Sequence, residues 1–419
     1  MKFRPNPLVY GAHEKFYSSF KLVVTMRDVV SHTVLSRAVT SAMKRYPYFS
    51  VYPEKIGESI QLCFNDSPVP VFQDAGSVVL GTKESNGHLL AFACEERKII
   101  LHASHFIADG MGICPLLMTV LYCYISEMYG TQGLCAERIL MPNSPIRDEE
   151  YAYPFPDEPF QIEGNELPQK GSPKVYSLDA KAFDKQGLYA YHLHIPQGAM
   201  MAVANPSDGS PVSFLSVMLY RAICSLDSQV EDLIVGHIQH QYRAAIHTPY
   251  NRHSLVSYIP AEFSPRMKDR RVELQNTIIR GQVIVGSEPE ADLRSVNRLI
   301  SVFPKDKPLC LDEKKRRMRQ YVENSIAGKT FGISYVGKMD WCGMDQYVED
   351  LHAYIGEKDT SNMLLIEVMT VGTDFSLNFM QSGRGTRYVN AFMEQLQSLN
   401  IPVSLTGEER YTLCDTKIP

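Results

Sequence analysis

The sequence predicts a two-lobed α+β protein. Three observations carry that expectation: strand and helix patterns alternate in mixed order along the chain, a proline-rich window divides it, and 419 residues exceed what one small core needs. Seven of the 25 prolines (142, 145, 154, 156, 159, 168 and 173) fall in that window, where even spacing gives about two. The expected division is an N-terminal lobe at 1–141, a proline-rich crossover at 142–174 and a C-terminal lobe at 175–419.

In the first lobe the strand candidates are Phe20 to Thr25, Ile60 to Phe64, Leu89 to Cys94 and Ile99 to Ala103, the last two joined as a hairpin by Glu95-Glu96-Arg97-Lys98. Val30, Val34, Leu35, Ala38, Val39, Ala42, Met43 and Tyr46 recur at helical spacing after Asp28, a favourable N-cap, and stop before Pro47. Ser104 to Gly112 follows the hairpin as a polar cluster, and an apolar helix runs from about Ile113 to Tyr129. The second lobe opens with a strand at Ala190 to Ile195 and a helix to about Leu226, capped by Ser210 with Pro211 at its first position. A core strand follows at Leu233 to Ile238. Further helices are expected near 290–302, 312–327 and 386–399, and strands near 332–336, 364–371 and 375–380.

Composition narrows the function classes. With 44% hydrophobic and 21% charged residues the chain can bury a sizeable core and does not resemble a disordered one. A net charge of −5 supplies no global attraction to phosphate backbones or anionic lipid, so nucleic acid is not an expected partner. The nine cysteines are scattered without a CxxC pair, which points to reduced core thiols and no structural zinc. The N-terminal residues lack the apolar stretch of a signal peptide. The longest uncharged run, Gly110 to Ser126, has 17 residues and contains Pro115, short of the roughly 20 apolar residues that span a bilayer. A cytoplasmic protein without a membrane span is the expectation.

Several catalytic signatures are missing: HExxH, GxSxG and GxGxxG do not occur. Gly328-Lys329-Thr330 imitates the end of a P-loop, but Glu323 stands where its first glycine belongs. His192 and His194 would share one face of a strand and could ligate a metal, yet no third ligand is near in sequence, and an exposed strand face is the favoured reading. The informative cluster is His105-Phe106-Ile107-Ala108-Asp109-Gly110. The counts of His, Asp and Gly give about 0.04 chance occurrences of HxxxDG in a chain of this composition. The histidine sits at a strand end, where it can protrude into a cleft, and the two glycines at 110 and 112 allow close approach of backbone or substrate. Imidazole is suited to removing a proton from a hydroxyl or amine near neutral pH. The competing reading is a core histidine hydrogen-bonded to Asp109, with Gly110 turning the chain.

These residues resemble the HxxxDG signature of the CoA-dependent acyltransferase superfamily, which includes chloramphenicol acetyltransferase, plant BAHD acyltransferases, alcohol acetyltransferases and peptide-synthetase condensation domains. Ala42 to Phe49 is similar to a helix end of condensation-type members, Pro211 to Leu215 to the start of their second-lobe helix, and Gln241-Tyr242-Arg243 to their "D.R" segment. Thr373 to Ser376 partly resembles the DFGWG of BAHD enzymes and is read as structural support. The nearest branch in length and style is that of stand-alone condensation-like proteins and alcohol acetyltransferases. Ser104 replaces the first of two adjacent histidines found in many members, which disfavours strict peptide-bond formation, and Ser50 replaces the second arginine of the helix-end motif.

The resemblance implies two chloramphenicol acetyltransferase-like lobes, each a mixed sheet with flanking helices, in a V around a central tunnel. It implies acyl-CoA as co-substrate, no permanently bound cofactor, no metal, a small-molecule acceptor, and an acyl carrier protein as the alternative donor. A non-catalytic binding protein of the same fold is the other alternative. His105 would be general base for direct attack on the thioester. Asp109 would turn away from substrate to hold the loop, with Arg243 or Arg45 as partner, and Gly110 would give the close backbone approach. The basic run Lys314, Lys315, Arg316, Arg317 and Arg319 on an expected helix could meet CoA phosphates.

Overall fold

The structure is a computed structural model that describes residues 2–12, 17–74, 78–162, 174–179, 187–227, 229–305, 308–356 and 363–419. Part of the expected proline-rich crossover, 163–173, lies outside these residues. From the N-terminus run β1 (Lys2–Phe3), β2 (Ser19–Met26), α1 (His32–Met43), β3 (Val51–Ile56), β4 (Ser59–Phe64), β5 (Val71–Phe72), β6 (Leu90–Glu95), β7 (Lys98–Ser104) and α2 (Gly110–Tyr129). There follow β8 (Leu188–Pro196), α3 (Gln197–Ala204), α4 (Pro211–Leu226), β9 (Ile234–Gln241), β10 (Val256–Phe263), α5 (Val272–Gly286), α6 (Pro289–Ile300) and α7 (Leu311–Ile326). The chain ends with β11 (Phe331–Tyr335), β12 (Val348–Tyr354), β13 (Leu364–Val371), β14 (Asp374–Gln381), α8 (Arg387–Ser398) and β15 (Ser404–Tyr411).

Two mixed sheets with flanking helices make the two-lobed α+β body. The first has the order β12-β2-β7-β6-β5, the second β10-β9-β11-β13-β14-β8-β15, and β1, β4 and β3 form a small third sheet. The stripe on α1 packs Leu35, Ala38, Val39 and Ala42 onto the first sheet, beside α2. The N-cap of α1 is Ser31 and not Asp28, because Val30 still bonds the Glu96 carbonyl, while Asp28 instead accepts from the Tyr129 hydroxyl. Ser210 caps α4 as expected, in a reciprocal pair with Ser213. Residues of both sheets, including Val23, Ile100, Tyr354, Leu365 and Met380, form a further apolar cluster that joins the lobes.

The division in sequence is not the division in space. Strand β12, from the C-terminal half, is the edge strand of the first sheet and pairs antiparallel with β2, Leu351 opposite Val24. The last residues also return to the first lobe, where Thr416 bridges Leu80 and the Ser19 hydroxyl donates to the Cys414 carbonyl. Helix α2 is longer than the uncharged run suggested, 20 residues, and apolar enough to cross a membrane by length and composition. Its burial against α1 and the sheet is that of a core helix.

Candidate active site

His105 follows the last residue of β7 and is held by its backbone N–H, which donates to the Ser18 carbonyl at 2.7 Å. Its partly exposed ring lies against Phe20, centroids 4.5 Å apart, and bonds the Ala108 carbonyl. Burial lowers its pKa from the ordinary value of 6.5, although the Asp109 charge and that carbonyl pull the other way, so the imidazole is neutral at pH 7. Phe106, Ile107 and Ala108, which follow it, are buried and anchor the loop.

Asp109 caps α2, its Oδ1 accepting from Gly112 N–H at 2.7 Å. The same oxygen accepts from Arg243 Nη2 at 2.7 Å, and Oδ2 from Leu255 N–H at 2.8 Å. Arg243, itself buried, donates through Nε to the Asn251 carbonyl and through Nη2 to the His253 carbonyl. The carboxylate is therefore committed to the second lobe and not to His105, which sets aside the reading of a core histidine bonded to Asp109. One buried ion pair thus fixes the helix that starts beside the histidine to the loop between β9 and β10. A neutral imidazole here can accept a proton.

The sequence matches no family model, and no curated protein matches it. Solved structures do. TRI101 of F. graminearum, in complex with coenzyme A and T-2 mycotoxin, aligns over 95% of this chain and 97% of its own with a TM-score of 0.59 at 11% identity. Polyketide synthase associated protein 5 of Mycobacterium tuberculosis aligns over 97% and 98%, TM-score 0.59 at 12% identity. The condensation domain of the monacolin K polyketide synthase MokA aligns over 91% of each, TM-score 0.54 at 11% identity. The chain shares the two-lobed fold of these structures.

Within that fold the other expected residues take different places. Arg45 is not the partner of Asp109; it forms a buried bidentate pair with Glu150, at 2.6 and 3.0 Å. Tyr48 also donates to Glu150 at 2.6 Å. Burial opposes ionisation of this glutamate, but the bonds from Arg45 and Tyr48 outweigh it and hold its pKa below the ordinary value. Gly110 gives no close approach to another part of the chain: a Cβ there meets Val336 at an ordinary 3.4 Å. Gly112 does, since a Cβ on it would stand 2.2 Å from the Arg252 carbonyl oxygen. Glu150, in an acidic run of the proline-rich segment, escaped the sequence reading because its partner Arg45 lies 105 positions away, whereas Gly112 is read there, together with Gly110, as a place of close approach.

The basic run lies on α7 with intramolecular partners. Lys314 donates to the Glu58 carbonyl and Ser59 hydroxyl, Lys315 to a main-chain oxygen of Pro419, and Arg319 to the Ala12 carbonyl. Arg316 and Arg317 both bind Glu313, whose carboxyl they hold at a pKa of about 2. Lys315, Arg316 and Arg319 line a surface hollow of about 500 Å³ with Asp312, Gln320 and Glu323.

His192 and His194 do not form an exposed strand face. Both are largely covered by β12, which no local sequence pattern placed there: His192 stacks on His352, and His194 Nε2 lies 2.7 Å from Asp350 Oδ2. Ser376, in the segment that partly resembles DFGWG, donates to Asp350 at 2.5 Å, so this segment supports the lobe junction.

Proposed function

We propose that the protein is an acyltransferase that moves an acyl group from acyl-CoA to a hydroxyl or amine of a small acceptor, with His105 as general base. The observation that carries this reading is the pairing of a neutral, partly exposed His105 with an Asp109 turned away from it and locked to Arg243. The imidazole takes the acceptor's proton as its oxygen or nitrogen attacks the thioester carbonyl. The tetrahedral intermediate collapses, the C–S bond breaks, and the proton passes to the departing thiolate. No acyl-enzyme is required. Asp109, Arg243 and Gly112 keep the loop and α2 in register, and Arg45 with Glu150 supports the helix end behind them. The coenzyme A in the TRI101 complex suits this donor. For its phosphates we assign the basic run on α7: Lys315 and Arg316 line the hollow together with Arg319, Arg317 shares Glu313 with Arg316, so that this carboxylate competes for both, and Lys314 is held by Glu58 and Ser59. Localisation in the cytoplasm is proposed on the sequence pattern.

A second reading, a carrier-protein thioester as donor, is favoured by the likeness to a polyketide synthase condensation domain. Thiol release from acyl-CoA donors of increasing length, with pooled alcohol and amine acceptors, separates the two. The expected result is release that falls about 10² to 10⁴-fold in His105→Ala, with KM for acyl-CoA raised in Lys315→Ala/Arg316→Ala. Release by wild type no greater than by His105→Ala with every CoA donor overturns the CoA reading and moves the same assay to acyl carrier proteins. An unchanged KM in the double variant removes α7 from the donor site.

A further inference from the structure

We propose that His194, Asp350 and His352 bind one divalent transition-metal ion, of which Zn²⁺ is the model, at the junction of the two lobes. The ligand atoms of all three residues lie within 4.8 Å of one another. His194 Nε2 and Asp350 Oδ2 are 2.7 Å apart, and Asp350 Oδ2 and His352 Nε2 3.4 Å. Tetrahedral zinc with bonds of about 2.0–2.1 Å needs ligand atoms roughly 3.3 Å apart, so small side-chain shifts suffice. Two imidazoles and one carboxylate suit zinc, cobalt or nickel and not the all-oxygen shells of Mg²⁺ or Ca²⁺. Three protein ligands leave the fourth position to water.

The surroundings are those of a metal site, beyond the three ligands themselves. Asp350 Oδ1, the oxygen that does not face the histidines, accepts from Ser376 Oγ and from Leu351 N–H. Asp374 Oδ2 stands 4.0 Å from His194 Nδ1, on the ring nitrogen opposite the ligating one, and can favour the ligating tautomer. His192 stacks on His352 with centroids 4.0 Å apart, its Nε2 at 3.0 Å from the Tyr354 hydroxyl. A bulge between Val348 and Asp350 re-aims β12 just before Asp350, so that Asp350 and His352 share the face turned to β8 and β14. Ser376 Oγ also touches His352 Nε2 at 3.0 Å, a contact the ion would replace.

The site is separate from the candidate active site. Asp350 is opposite Thr25, which pairs with Lys98, whereas His105 follows Ser104, opposite Ser19, at the other end of β7, roughly 20 Å away along the strand. The ion would therefore pin β8 of the second sheet to β12 of the first and take no part in proton transfer at His105.

The test uses the full chain, stripped with a chelator and titrated with Zn²⁺ by calorimetry and with Co²⁺ by visible absorption. One equivalent per chain, a tetrahedral Co²⁺ band and a Tm that rises with Zn²⁺ are expected, with affinity lowered by at least about tenfold in His194→Gln and Asp350→Asn. Should Asp350→Asn not fold, the partly exposed His194→Gln carries the comparison. No Co²⁺ band in wild type, or equal affinity in wild type and His194→Gln, overturns the proposal.

Discussion

At the residue scale the chemistry rests on protonation states set by burial. His105 has its pKa lowered by desolvation, so the neutral base persists below pH 6.5. The acid limb of kcat/KM is accordingly expected with a midpoint under 6.5, activity falling as pH drops through it; a midpoint above 6.5 contradicts the burial argument. Asp109→Ala leaves Arg243 buried without its carboxylate, an arrangement that costs about 3–5 kcal/mol. A clear fall in the urea midpoint is expected, with loss of activity, and a fully stable, fully active variant contradicts the structural role. His105 and Asp109 were legible in the sequence because HxxxDG places both in one short loop after a strand. The choice between Arg243 and Arg45 was not, since that pairing closes over 134 residues and depends on which loop reaches the start of α2.

At the scale of elements, α2 is seated by a glycine that local spacing could not single out. Gly110→Ala, whose Cβ meets Val336 at an ordinary distance, is expected to leave stability within about 0.5 kcal/mol. Gly112→Ala must push back the Arg252 carbonyl and is expected to cost about 1–3 kcal/mol, measured by thermal unfolding of the two variants side by side. Equal melting points would remove the close approach as the reason for glycine. Most long helices and the central strands were readable from periodicity, as α4 and β13 illustrate. β10 was missed because Pro260 interrupts its pattern, which an edge strand tolerates. α5 was missed because Leu274, Ile284 and Val285 stay exposed and blur its apolar stripe. β12 was hidden by Glu349, Asp350 and His352, polar residues that read as a loop, of which Asp350 and His352 serve the lobe junction.

For the whole molecule, the two-lobed α+β body was legible in the mixed order of elements, while the exchange of a strand between the lobes was not. A strand's own alternation does not record which sheet receives it. The exchange has a direct consequence for dissection: a fragment of residues 1–174 lacks β12 and the returning C-terminal tail, and is expected to aggregate when produced alone. Circular dichroism and light scattering on that fragment decide the matter, a monomeric, cooperatively melting product being the contrary result. The consequence also extends to synthesis. β2 leaves the ribosome roughly 320 residues before β12, which at about 5–20 residues per second is roughly 15 to 60 s of translation. Throughout that interval the nascent chain carries one finished strand whose outer edge has no mate. The gene thus encodes a delay as well as a fold, and slowing translation between the two strands prolongs the period in which neighbouring polysomal chains can pair through that edge.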